Sequence, residues 1–205
     1  MRRSFACLIL AVLISGTGSR LEAQDSLRMS LSDSGVVRAS AAVDSVLVDR
    51  LIPVRTVSGG DFAAYLMARL GVHPIPSTLQ FTVNVDTSAI QFRGRIRDLP
   101  PEAQAELGPV LAMFDPETWI VASVGLMSAG PRAVHFRLRG VTLNDVAIPD
   151  GLLDPMLNQV GVRYPALTSS GRDLFVEIPA GAAIALEPGT VRLTGPPVRP
   201  AAVPK

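Results

Sequence analysis

Thr78-Leu79-Gln80-Phe81-Thr82-Val83-Asn84-Val85-Asp86-Thr87-Ser88-Ala89-Ile90-Gln91-Phe92-Arg93-Gly94-Arg95-Ile96-Arg97 is the stretch on which the fold turns. Leu79, Phe81, Val83 and Val85 alternate with Gln80, Thr82 and Asn84. After the turn signal Asp86-Thr87-Ser88, Ile90, Phe92 and Ile96 alternate with Gln91, Arg93, Arg95 and Arg97. Successive side chains of a strand point to opposite faces, so this pattern predicts a long antiparallel hairpin with one apolar and one wet face. Gly94, inside the second arm, marks a close approach or a bulge.

Upstream of the hairpin, Ser58-Gly59-Gly60-Asp61 precedes an amphipathic run in which Phe62, Leu66 and Leu70 share a helical face. Serine followed three residues later by an acid is a capping spacing; the same four residues could also form an anion-binding turn. Val36 to Leu51 reads as a helix or a strand–helix mixture that Pro53 ends. Downstream, Leu99-Pro100-Pro101-Glu102 opens a second helix running to Phe114, kinked at Gly108-Pro109. Trp119 to Met127 and Ala133 to Leu143 read as strands. In the latter, the apolar parity moves from Val134, Phe136 and Leu138 to Val141 and Leu143 across Gly140, as a bulge requires. Ile148-Pro149-Asp150 starts a third helix carrying Leu152, Leu153, Met156, Leu157 and Val160; Leu174–Ile178 and Thr190–Leu193 are short strands. The fold class is α+β: a long, curved antiparallel sheet wrapped around or covered by two to three helices.

The termini have a different character. Met1-Arg2-Arg3, an apolar run from Ala6 to Ser15, then small residues and Leu21-Glu22-Ala23 follow the order of a secretory signal peptide cleaved after Ala23. The apolar run is shorter than the ~20 residues a membrane-spanning helix needs; an uncleaved anchor is the alternative. The expected organisation is a signal peptide over residues 1–23, an N-terminal segment over 24–53, a single α+β domain over 54–194 and a disordered Pro-rich tail over 195–205. The expected location is therefore exported, periplasmic or extracellular. Cleavage would remove Cys7, the sole cysteine among the 205 residues. A mature chain without cysteine is held by its core rather than by disulfides, and has no thiol chemistry.

Composition narrows the function classes. A formal net charge of +1 offers no basic field for nucleic acid. The two histidines stand apart, His73 before Pro74 and His135 among Arg137 and Arg139 on a polar strand face, a poor setting for a metal. No nucleophile elbow, zinc-binding His-Glu-x-x-His, phosphate loop or dinucleotide fingerprint occurs. The chain is expected not to be an enzyme and to need no cofactor, although dispersed carboxylates of a hydrolase remain an alternative. Arg93, Arg95 and Arg97 on one strand and Arg137 and Arg139 on another would make a basic stripe if those strands were neighbours. That stripe is either a solvated face with acidic partners or a contact surface for anionic headgroups or an anionic protein.

The apolar supply is the more informative feature. Small and flexible residues on the facing helices suit either a filled core or an adaptable slot. Candidate slot-lining residues are Phe62, Leu66, Met67, Phe81, Val83, Phe92, Met113, Phe136 and Met156.

The order of elements carries a resemblance. A helix at Gly60–Leu70 precedes the long hairpin. The strand pair through Trp119 and Phe136 leads by Leu138-Arg139-Gly140-Val141-Thr142-Leu143-Asn144-Asp145-Val146-Ala147-Ile148-Pro149 into a helix, and Phe175-Val176-Glu177-Ile178-Pro179 and Thr190–Leu193 close the chain. Over roughly Val54 to Leu193 this resembles the small secreted or membrane-anchored bacterial domains related to tubular lipid-binding proteins. The kinked Pro100–Phe114 helix departs from their simplest pattern. The resemblance implies a strongly bent sheet around a helix, an elongated apolar groove, and binding or transfer of lipid-like molecules in the cell envelope without catalysis. The alternative function is a structural or interaction protein of the envelope with a solid core and the basic sheet face as its contact surface.

Overall fold

A computed structural model of the protein describes residues 29–77, 79–99, 104, 113–128, 130–164, 166–168 and 170–196. The architecture is α+β with a large antiparallel sheet. Its strands are β1 (Met29–Ser30), β3 (Thr82–Val85), β4 (Ala89–Arg95), β5 (Trp119–Ser128), β6 (Ala133–Leu143), β7 (Val146–Ala147) and β8 (Asp173–Glu177). The order is β1-β3-β4-β5-β6-β7, and β8 also pairs with β6. A second, three-stranded sheet has the order β2 (Val54–Ser58), β10 (Thr190–Thr194), β9 (Ala183–Glu187). The helices are α1 (Asp33–Val43), continued by a π turn over Asp44–Val48, α2 (Gly59–Arg69) and α3 (Asp150–Arg163).

The hairpin pairs Val83 with Phe92 and Val85 with Ile90, so its apolar residues share one face. Its turn is tied by Asp86, whose Oδ1 accepts from the Ser88 and Ala89 amides and the Ser88 hydroxyl. The first arm is shorter than its alternation, because Leu79 and Phe81 lie before the strand yet remain buried. Phe81 explains Gly94: a Cβ there would lie 2.8 Å from the Phe81 ring, so glycine admits the close approach.

The apolar face continues through Phe92–Ala122, Ile90–Val124, Val124–Leu138 and Leu126–Phe136 pairs. Between Ser123 and Val124 the register slips, with Ser123 opposite Gly140 and Val124 opposite Leu138. The extra residue, Arg139, is the bulge, and it keeps Leu138, Val141 and Leu143 on the same face. Beyond it, Ile96, Ile120 and Leu143 form a small satellite core.

Helix α2 lies on this face. Its fully buried Phe62 meets the fully buried Phe136 with ring centroids 6.0 Å apart. Ser58 caps the helix by accepting from the Asp61 amide at 3.2 Å. Asp61 then receives both Nε and Nη2 of Arg38, clamping α1 to α2. Gly59 and Gly60 are sites of close approach: a Cβ on Gly59 would lie 2.4 Å from Val85 Cγ2, and one on Gly60 2.7 Å from Met29 Cβ. The second sheet closes the same core with Val57, Ile184, Leu186, Val191 and Leu193. It is tied to the first where the Gly189 amide donates to the Val85 carbonyl and the Gly59 amide to the Gly189 carbonyl. Most of the expected Pro100–Phe114 helix lies outside the described residues.

Candidate functional site

Between α2, the apolar sheet face and the segment after α3 lies a cavity of about 360 Å³, partly open to solvent. The α2 wall is Leu66, Met67 and Leu70; the sheet supplies Phe92, Ala122, Val124, Phe136 and Leu138; Tyr164, Leu167, Gly171, Arg172 and Leu174 make the third side. Amphipathic patterning places these groups: Leu66 and Leu70 are one turn apart on α2, and the sheet residues alternate. The space is open on one side and its lining is almost wholly apolar.

Of the nine apolar residues proposed from sequence, Leu66, Met67, Phe81, Phe92 and Phe136 line the cavity. The other four stand elsewhere. Phe62 and Val83 are buried in the core, Met113 is 80% exposed, and Met156 is half-buried on α3 without reaching the space. The third wall is not legible because residues 164–174 show no period; Leu167 is set there by its amide, which donates to the Tyr164 carbonyl, and by an isolated antiparallel bridge to Leu174.

That wall is held from outside by polar contacts. Arg172 donates from Nε to Asp154 (2.7 Å) and from Nη2 to Asp150 (2.8 Å), one turn apart on α3. On the other face of the sheet, Asp173 takes His135 Nε2 at 2.6 Å and the Ser170 hydroxyl at 3.1 Å. His135 also stacks on Phe175, ring centroids 4.5 Å apart. Ser170 and His135 converge on the same carboxylate and are not bonded to each other, so they do not make a nucleophile–base pair. His73 sits 3.8 Å from Asp33. Among the described residues no three of His, Cys, Asp and Glu come together as a metal site, and no helix is long and apolar enough to cross a membrane.

Burial works to raise the Asp173 carboxyl, but hydrogen bonds from His135 and Ser170 and the charge of Arg137 outweigh it and hold it below the usual carboxylate range. A depressed folded-state pKa adds stability that is complete above the unfolded value, about 3.9 for aspartate, and is lost as pH falls through the folded value. Asp173→Asn is therefore expected to lower the urea midpoint at pH 7 and to lose less on acidification below pH 4 than the wild type (about 3.9 being the unfolded reference). Identical acid limbs for the two proteins would refute the assignment.

The arginines do not form one stripe. Strand β5 separates β4 from β6, and Arg93 lies opposite Val121 while Arg137 lies opposite Gly125, about 13 Å further along β5 at ~3.3 Å per residue. Each group also has local partners. Arg93 and Arg95 lie over Trp119, with guanidinium carbons 4.5 and 4.8 Å from its ring; Arg95 and Arg97 both pair with Glu117. Arg137 faces Asp173 at 3.8 Å. Arg139 lies flat over Gly125, where any Cβ would strike its Nε.

A wider groove of about 1460 Å³ runs past Val46, Leu51, Tyr65, Arg69, Arg132 and Ile178. It is more polar than the first cavity, mixes both charge signs through Asp44 and Glu177, and is lined also by Gly195 and Pro196. A ligand site is expected to be concave and mainly apolar with few polar groups, which favours the smaller cavity despite its size. Comparison with protein-family models, curated proteins and solved structures gave no match for this chain.

Proposed function

We propose that the protein is an exported, non-catalytic binder of an apolar, lipid-like molecule, held in the cavity between α2 and the seven-stranded sheet. The observation that carries this reading is the apolar cavity that the described residues leave between Leu66, Met67, Phe81, Phe92, Phe136 and Leu174. Apolar walls open to solvent face water, and an apolar guest replaces that water with favourable burial. Each methylene moved from water into such a site is worth ~0.8 kcal/mol, so no specific polar chemistry is needed for useful affinity. The space of about 360 Å³ equals roughly a dozen liquid waters at ≈ 30 Å³ each, which suits one short acyl chain rather than a two-chain lipid. Export rests on the N-terminal order of basic, apolar and small residues; the expected N-terminus of the mature protein is Gln24.

Titration with the neutral fluorophore N-phenyl-1-naphthylamine tests the reading. Saturable, one-to-one binding is expected. Ala122→Phe puts a ring into the cavity opposite Phe92 and is expected to weaken binding at least tenfold with the far-ultraviolet circular dichroism unchanged. Absent binding by the wild type, or full binding by a folded Ala122→Phe protein, would overturn it.

A further inference from the structure

We propose that the wider groove is a docking site for an acidic, extended peptide segment of a partner protein; the inference stands apart from the cavity reading above. Its walls come from the π turn after α1, from α2, and from the termini of β6, β8 and β9. Arg50, Arg69 and Arg132 line it, together with Asp44 and Glu177. All five are exposed, and among the described residues none of their side chains makes a hydrogen bond or an ion pair. Arginines elsewhere find local carboxylates: Arg38 takes Asp61, Arg95 and Arg97 take Glu117, Arg137 takes Asp173, and Arg192 takes Glu187. The groove therefore presents its charges to whatever enters it. Three guanidiniums against two carboxylates favour an occupant of net negative charge, and a guanidinium fork matches the two oxygens of a carboxylate.

Much of the remaining wall is aliphatic. The chain leaves the π turn over Asp44–Val48 and passes through Arg50, whose φ of 55° is left-handed. The Leu51 amide donates to the Ser45 carbonyl at 2.8 Å and fixes this turn. Val48 and Leu51 are thereby left 65% and 74% exposed on the groove wall. π turns and left-handed non-glycine residues both collect at functional sites. Tyr65 lines the groove one helical turn before Arg69 on α2, and tyrosine and arginine are among the residue types that most often anchor protein interfaces.

Shape and charge select among acidic partners. A volume of about 1460 Å³ exceeds the ~300–1,000 Å³ usual for a small-molecule pocket. An anionic bilayer is uniformly negative and does not enter a concave groove, and Asp44 and Glu177 repel it. Nucleic acid meets the same two carboxylates. A peptide can set acidic side chains at the arginines, neutral or basic ones at Asp44 and Glu177, and aliphatic ones over Val48 and Leu51.

The test is panning of a phage-displayed random dodecapeptide library on the wild-type protein, then fluorescence anisotropy with the selected peptides made synthetically. The selected peptides are expected to combine net negative charge with Leu, Ile or Val. Their binding is expected to weaken about tenfold or more in Arg69→Ser/Arg132→Ser, and to weaken also in Leu51→Ser. Arg192→Ser, which removes a paired arginine outside the groove, should leave it unchanged. Binding of N-phenyl-1-naphthylamine should be the same in all of these proteins, since none of the substituted residues lines the smaller cavity. Selection of basic or uncharged peptides, no enrichment over an unrelated protein, or equal binding by Arg69→Ser/Arg132→Ser would overturn the inference. Co-sedimentation with phosphatidylglycerol vesicles that the same two substitutions abolish would overturn it too, and would assign these arginines to a membrane surface.

Discussion

Replacing Phe136 by alanine is expected to cost about 3–5 kcal/mol of stability, the usual range for deleting a fully buried aromatic ring. Phe136 sits where three parts of the molecule meet. It pairs with Leu126 and Leu174 across β6, touches Phe62 of α2, and forms part of the cavity wall. It is 1% exposed, so nearly the whole ring's packing is lost with it. For a chain of this size each kcal/mol shifts the melting temperature by roughly 2–4 °C, which puts the expected fall at ~6–20 °C. Phe136→Leu, which keeps most of the volume and all of the apolarity, should cost far less, ~1.5 kcal/mol or below. Differential scanning calorimetry of the two variants decides this. Equal losses for alanine and leucine would mean that the ring's volume is not what the core needs at this point.

The second large effect is expected at Gly171. A Cβ there would stand 1.9 Å from the Leu157 carbonyl oxygen and 2.6 Å from the Leu157 carbonyl carbon. Both are backbone atoms of α3, so no rotamer change relieves the contact. The backbone at Gly171 also has φ of +65°, a conformation other residues adopt at a cost of ~1–3 kcal/mol. Gly171→Ala must therefore push α3 off the third wall of the cavity. The expected results are a melting temperature at least ~6 °C lower, taking ~3 kcal/mol or more at roughly 2–4 °C each, and faster amide exchange through Asp150–Arg163 than through α2. Gly171→Asn separates the two causes, since asparagine tolerates positive φ but carries the same Cβ. A stable asparagine variant would show that the backbone angle alone selects glycine; equal damage would show that close approach does. Gly161 faces the same contact, its Cβ position lying 2.7 Å from the Thr168 carbonyl oxygen.

Much of the sheet was legible because its signals are local. The alternation in the hairpin, observed over Thr82–Val85 and Ala89–Arg95 and giving way to a 3-10 turn at Ile96–Asp98, the close approach at Gly94 and the parity change near Gly140 all lie within a few residues of the feature they report. Ser58 as the cap of α2 was legible for the same reason. Four strands were not. Met29–Ser30 and Val146–Ala147 are two residues long and Val54–Ser58 is too short to show a period, while Ala183–Glu187 alternates Ile184 and Leu186 with alanines, which blurs the contrast between its faces. The basic residues misled differently: strand faces can be read from one segment, but the distance between two arginine groups depends on which strand lies between them. The cavity was legible only in half, since α2 and the sheet announce their apolar faces while its third wall is an irregular segment fixed by Arg172 and Gly171.

The pairing of Val57 with Val191 joins parts of the chain that are synthesised far apart. Before Thr190–Thr194 docks, the strand that leads into α2 lacks its partner, and Val191 and Leu193, both wholly buried in the folded molecule, are missing from the core. Non-local pairings of this kind slow folding because a large loop must close before any contact rewards it. Docking of Thr190–Thr194 is thus the long-range step that locks the strand leading into α2 into the core.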